Sequence, residues 1–364
     1  HLIWFEKKIN VAIFSSKILK FLPIDFIIHW YKMVFKIKRM AMPKKINPKL
    51  EIRKAIKYCE SSQFSDAISI LLMILKKYPN QIEALTILGT AYLHQKDIKL
   101  GIKYLEKSIS LNPQQNHTLN NIGNGYYELE NYLKAISYFE KSIALNPNDF
   151  NPYYNMGRAF AGMDNHIKAI SCYENAMKLN PNFSAIKANI AISYRENKEY
   201  KKAITNLQEA IKIDVNNYKL YALYGGTLSA MNDYKGSIIA YQKALELNPN
   251  NPNVMTYLGV NLKKIKKYDE AIEILTKSTT LDPNQDEPYH NLGLIFLAQG
   301  RDKLAKENFA KVISSNPNFD EAKHFLSSLD GKAPKTAPKK YVENLFDDFS
   351  ENFEGVLIKD LKYD

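Results

Sequence analysis

Seven prolines set the frame for this chain. Pro79, Pro113, Pro147, Pro181, Pro249, Pro283 and Pro317 stand 34 residues apart, except for one gap of 68 between Pro181 and Pro249. Val215, within Ile213-Asp214-Val215-Asn216, occupies the missing place. Most of the prolines sit in a Leu-Asn-Pro-Asn run or a near variant, as in Leu145-Asn146-Pro147-Asn148 and Leu281-Asp282-Pro283-Asn284. A fixed period of this length is the mark of a stacked array. Each unit buries its apolar face against its neighbours rather than at one shared centre. The 364 residues would otherwise predict two or three globular domains.

Eight units follow, at 48–81, 82–115, 116–149, 150–183, 184–217, 218–251, 252–285 and 286–319. Unit 116–149 shows the pattern. Leu119, Ile122, Gly123 and Tyr126 lie on one face of a first helix, at spacings i, i+3, i+4 and i+7. A polar turn at Glu130-Asn131 separates them from a second stripe of Ala135, Ile136, Phe139, Ser142 and Ile143. Pro147 ends that second helix, and Asn148 is suited to cap the next one.

Three places recur in phase. The eighth is Gly89, Gly123, Gly157, Gly225, Gly259 and Gly293, with Ala55 and Ala191 in the other two units. Glycine inside a helix costs about 1 kcal/mol relative to alanine, so its recurrence implies a close approach of the paired helix. The twentieth place is small throughout, from Ala67 and Gly101 to Ala305. Small facing small is the expected packing. The eleventh place is large, at Tyr58, Tyr92, Tyr126, Phe160, Tyr194, Leu228, Leu262 and Phe296.

These Gly/Ala, aromatic, Ala and Pro places, repeated in register, resemble the tetratricopeptide repeat family over residues 48–319. The resemblance implies an all-α fold, a right-handed α-solenoid of about eight helix-turn-helix units. A capping helix at 320–331 would close it. Unit 184–217 lacks both glycine and proline, so an irregularity is expected there.

The flanks differ from the array. Residues 1–47 form a basic leader, expected to be disordered or to lie upstream of the true start. Nine of the twelve net positive charges fall in residues 1–50, so no basic stripe along the repeats is expected and no nucleic-acid partner follows. The apolar runs of the leader are broken by Lys17, Lys20, Pro23 and Asp25, short of the roughly 18 apolar residues that a membrane-spanning helix needs. Residues 332–340 read as a Pro/Lys linker. Residues 341–364 read as an acidic amphipathic helix, with Val342, Leu345, Phe346, Phe349 and Phe353 on one face. Cys59 and Cys172 are three units apart, too far for a disulfide. Two free thiols fit a reducing, cytoplasmic setting.

Catalytic signatures are missing from the sequence. No metal motif, Ser/His/Asp set or phosphate loop stands out, because Gly123-Asn124-Gly125 and Gly225-Gly226 fall inside helices rather than after strands. No cofactor is implied. Binding chemistry is better represented. In the family the sixth place faces the concave groove, and here it holds Asn121, Asn155, Asn189 and Asn291. Asn120, Asn124, Tyr154, Arg158 and His290 occupy neighbouring groove places. A side-chain amide both donates and accepts, so this ladder implies a protein or peptide partner bound by its backbone. Leu223 and Tyr257 interrupt the ladder.

Three readings compete. The tail, from Ala337-Pro338 through Leu345-Phe346-Asp347-Asp348-Phe349 to Tyr363, resembles the lead-in of bacterial repeat proteins with an S-adenosylmethionine-dependent methyltransferase domain. On that reading the array is a targeting arm, and a catalytic domain follows residue 364. The second reading is a stand-alone assembly scaffold. The third is the arm of an O-linked glycosyltransferase, permitted by the asparagines and disfavoured by the tail. In each, the chain as given is not itself an enzyme.

Overall fold

The computed structural model describes residues 47–332. Among them are seventeen α-helices and no strand. Sixteen of the helices form eight pairs, each a first helix of 13 residues and a second of 14. The expected all-α array of helix pairs is what the chain forms. The leader, the linker beyond 332 and the acidic tail lie outside the described residues.

The chain divides into two compact units after Gln114. The first holds α1 (Pro48–Glu60), α2 (Phe64–Lys77), α3 (Ile82–His94) and α4 (Ile98–Leu111). Its core is Ile52, Ala55, Leu71, Ile74, Leu85 and Leu88 with their neighbours.

The second unit holds α5 (Asn116–Glu128), α6 (Tyr132–Leu145), α7 (Phe150–Gly162), α8 (His166–Leu179), α9 (Ser184–Glu196) and α10 (Tyr200–Ile213). It continues with α11 (Tyr218–Ala230), α12 (Tyr234–Leu247), α13 (Pro252–Lys264), α14 (Tyr268–Leu281), α15 (Asp286–Ala298), α16 (Asp302–Ser315) and α17 (Asp320–Leu329). Its core is a series of clusters rather than one centre. Phe139 with Ala159, Tyr173 with Ile190, and Leu207 with Ala191 lead to a larger cluster from Ile238 to Ala322. The short helix α17 supplies Ala322, Phe325 and Leu326 to that last cluster.

The turn inside each pair is made one way eight times. Ser62, Lys96, Glu130, Asp164, Lys198, Asn232, Lys266 and Gly300 all have φ between +57° and +68°. In the type unit the Asn131 N–H donates to the Tyr126 carbonyl, and the Glu130 N–H to that of Tyr127. This pair of bonds is the left-handed helix stop that satisfies the last carbonyls of a helix. The eleventh-place residue supplies one of those carbonyls in every pair, from Gln63→Tyr58 to Arg301→Phe296. Where Asp or Asn follows the turn, its side chain caps the second helix, as Asp97, Asn131, Asn165 and Asp233 do.

The Asn-Pro segments have their own logic. Asn112, Asn146, Asp282 and Asn316 each take, on the side-chain oxygen, the N–H two residues on, across the proline. That is an Asx-turn, and proline at its centre presets the backbone. The expected capping by Asn148 is not what forms, since Asp149 stands at the N-cap of α7 and its Oδ1 accepts the Asn151 N–H.

The expected small-on-small contact also needs correction. In the second pair it is direct, where a Cβ built on Gly89 would stand 2.8 Å from the Gly101 carbonyl oxygen, and in the glycine-free units Ala55 clusters with Ala67 and Ala191 with Ala203. In every unit that has one, the eighth-place glycine lies under the large residue of the twenty-fourth place, Leu105 at 2.6 Å in the second pair. A Cβ on Gly123 would meet Phe139 at 2.4 Å, on Gly157 Tyr173 at 2.5 Å, on Gly259 Leu275 at 2.5 Å and on Gly293 Phe309 at 2.6 Å. The glycines make room chiefly for these side chains, and at Gly89 and Gly101 for backbone as well.

Candidate protein-binding face

Within the second unit, first helices touch one another directly at α5–α7, α7–α9, α11–α13 and α13–α15. That contact thins out between α9 and α11, and again at α15–α17. The α9–α11 gap falls at the unit lacking both glycine and proline. The asparagines lie on this first-helix face.

Several of them are tied to one another. Asn155 Nδ2 donates to Asn120 Oδ1 at 3.1 Å, and both residues are buried. One step on, Asn189 Nδ2 donates to the Tyr154 hydroxyl at 2.8 Å. The register is the same both times, with the sixth place of one unit bonded to the fifth place of the unit before. Tyr154 is itself held edge-on by Phe183 and tilted against Tyr173. Asn121 and Asn124 are half-buried on the same face, and Asn124 keeps a buried Oδ1 without a hydrogen-bond partner.

Arg158 joins this network. Its guanidinium lies 4.3 Å above the Tyr127 ring of the preceding first helix. Its Nη1 approaches Asn155 Oδ1 at 3.5 Å. The stacking and the amide fix the plane and direction of the fork.

The other two candidates lie further along the first helices, apart from this network. Asn291 is 5% exposed, accepts from Lys263 Nζ at 2.6 Å and donates to the Glu287 carbonyl. It ties α13 to α15. His290 is 7% exposed and packs among Phe309, Phe319 and Phe325. Its Nε2 lies 3.6 Å from a Glu321 carboxylate oxygen on α17. It belongs to the seam with the closing helix. Sequence periodicity put His290 on the right helix, but only tertiary packing shows that α17 covers it.

The thiols are poor nucleophiles. Both are free. Burial pushes Cys172 up to about 11, and burial with the Glu60 charge raises Cys59. Burial likewise pushes the Tyr241 phenol up to about 12, so it stays neutral beneath Gly225. Among the described residues no group of His, Cys, Asp and Glu is arranged to hold a metal. No helix among them is long and apolar enough to cross a membrane.

Family models of the tetratricopeptide repeat match residues 82–115, 118–149, 138–171, 185–217, 228–295 and 286–319. Together they cover more than half of the chain. It belongs to the tetratricopeptide repeat family. The helix pairs and the glycine, aromatic and proline places are those of its repeat, and the array is an interaction scaffold. Among solved structures it is similar to the Cut9–Hcn1 hetero-tetramer of the APC/C, at 20% identity and a TM-score of 0.52. That match covers 78% of this chain and 56% of the other, so the repeat chain spans little more than half of that neighbour. It is also similar to pilF of Pseudomonas aeruginosa, at 17% identity and a TM-score of 0.51, covering 58% of this chain and 97% of the other. At these identities the likeness is one of fold. No curated protein matches the chain in sequence. The family matches lie between residues 82 and 319, and the tail's resemblance to a methyltransferase lead-in gains nothing from them.

Proposed function

We propose that the first-helix face over α5, α7 and α9 holds an extended segment of a partner protein. The observation behind this is the repeated amide tie, Asn155 to Asn120 and Asn189 to Tyr154. Each tie uses one N–H of a group that carries two, plus an oxygen with two lone pairs. The ties fix the amides at the spacing of packed helices, about 8–10 Å. An extended chain rises about 3.3 Å per residue, so amides at that spacing meet roughly every third residue of the segment. Backbone recognition of this kind tolerates varied side chains.

The buried tie changes which variants test the idea. Removing Asn155 would strand the Asn120 oxygen and cost stability as well as binding. Asn121→Ala with Asn189→Ala is the cleaner pair, because both residues and the Tyr154 hydroxyl that Asn189 would release are only half-buried and water can replace the lost bond. At about 0.5–1.5 kcal/mol for each net hydrogen bond, the pair should weaken binding of the native partner about fivefold to a hundredfold. The helical melt should stay in place. Unchanged affinity in a calorimetric titration would reduce these residues to helix surface.

The narrower reading, a targeting arm for an S-adenosylmethionine-dependent methyltransferase, is supported by the sequence of residues 341–363 alone. Gene sequence downstream of Asp364 decides it. A strand followed by a glycine-rich turn would favour it, and a stop codon would end it.

A further inference from the structure

We infer that this face is built for a segment carrying a carboxylate side chain seated on Arg158, with an apolar side chain about six residues away. The inference rests on the proposed function and names the chemistry of the segment.

Charge is distributed unevenly along the first helices. From α5 to α13 they carry Arg158, Lys187, Arg195, Lys219, Lys263 and Lys264 against Glu128 and Glu196. The two acids are the last residues of α5 and α9. The modest net charge beyond residue 50 hides this bias, because acids such as Glu130, Asp149, Asp164, Asp214 and Asp233 collect in the turns. Several of the bases are already answered. Lys187 pairs with Glu209 at 2.6 Å, Arg195 with Glu196 at 3.0 Å, and Lys263 bonds Asn291.

Arg158 differs. It is the sole charged residue of α7, and among the described residues no carboxylate pairs with it. Its one hydrogen bond is long, to an amide oxygen. The Tyr127 ring below and Asn155 beside it, itself anchored by Asn120, hold the guanidinium still. A half-buried guanidinium with a preset plane and unused N–H donors suits a carboxylate taken by two parallel bonds. An ammonium or an amide on the ligand would not use that fork.

Two pairs further on the chemistry changes. At the place of Asn155, α11 presents Leu223 and α13 presents Tyr257, the latter 45% exposed. From α7 to α11 is two helix steps, about 20 Å when taken at the wide end of the usual packing distance because the α9–α11 contact is thin. An extended chain covers that in about six residues. Hence the paired requirement, an acid at Arg158 and an apolar side chain over Leu223 and Tyr257.

The test uses the full chain and a displayed library of random twelve-residue peptides. Retained peptides should share an Asp or Glu with an aliphatic or aromatic residue about six places away. A synthetic copy of the strongest peptide should lose roughly tenfold to a hundredfold in affinity when its acid becomes the amide, the range of a charged hydrogen bond. Arg158→Gln should produce the same loss with the acidic peptide and none with the amide peptide. Arg158→Lys, which keeps the charge and loses the fork, should recover only part. A melt at the wild-type temperature confirms that the variants fold. Retained peptides without an acid, or an acid effect that survives Arg158→Gln, overturn the inference. If binding then still depends on Asn189, the groove stands and only the acid requirement falls. If no peptide is retained, both fall.

Discussion

Units 116–149 and 184–217 share one register and solve the same packing problem differently. In the first, Gly123 lies under the buried ring of Phe139. In the second, Ala191 packs with Leu207 in the same cluster. The difference extends along the chain. Glycine stands with Phe139, Tyr173, Tyr241 and Phe309, and with Leu105 and Leu275. The two alanines, Ala55 and Ala191, cluster with Leu71 and Leu207. No aromatic ring of the twenty-fourth place meets an alanine. The eighth and twenty-fourth places are therefore one packing pair, and the loss of a glycine is matched by a smaller partner.

The largest expected effect comes from forcing the two units together. Gly123→Ala should destabilise by about 1–3 kcal/mol, the usual cost of overpacking, despite the gain in helix propensity. Adding Phe139→Leu recreates the pair of unit 184–217. The double variant should be clearly more stable than the sum of the single changes, because contacting sites couple. Thermal melts and hydrogen exchange in α5 and α6 measure this. Strict additivity would show that the two places are independent.

A middle effect separates the turns. Lys198 and Gly300 hold the same left-handed place, at φ +60° and +68°. An L side chain there costs about 1–2 kcal/mol, and glycine returns part of that as chain entropy in the unfolded state. Lys198→Gly should stabilise, and Gly300→Ala destabilise, each by about 1 kcal/mol. Shifts of equal sign in the two melts would mean that the turn does not govern either unit.

The smallest effect is expected at Gly225, where a Cβ would stand 3.1 Å from the Tyr241 ring. The propensity gained by Gly225→Ala, about 1 kcal/mol, and the slight overlap should offset each other. Its melting shift should be the least of the set. A loss as large as that of Gly123→Ala would show that ring contact alone does not set the cost.

By itself the sequence determined the period, the helix pairing and the places of glycine, aromatic and proline. It could do so because the repeat states each local rule many times over, and local rules are those a linear pattern records. It also put Asn155, Asn189 and Arg158 on one helix face. It did not show the left-handed turn, because Lys, Glu and Ser fill five of the eight places, and only Asp164, Asn232 and Gly300 give the usual signal. Nor did it show which side chain each glycine admits, or that Asn155 bonds Asn120, or that His290 lies beneath α17. Those depend on which residue of a second helix comes within a few ångströms of the first. Tertiary packing decides that, since separation in space is not separation along the chain.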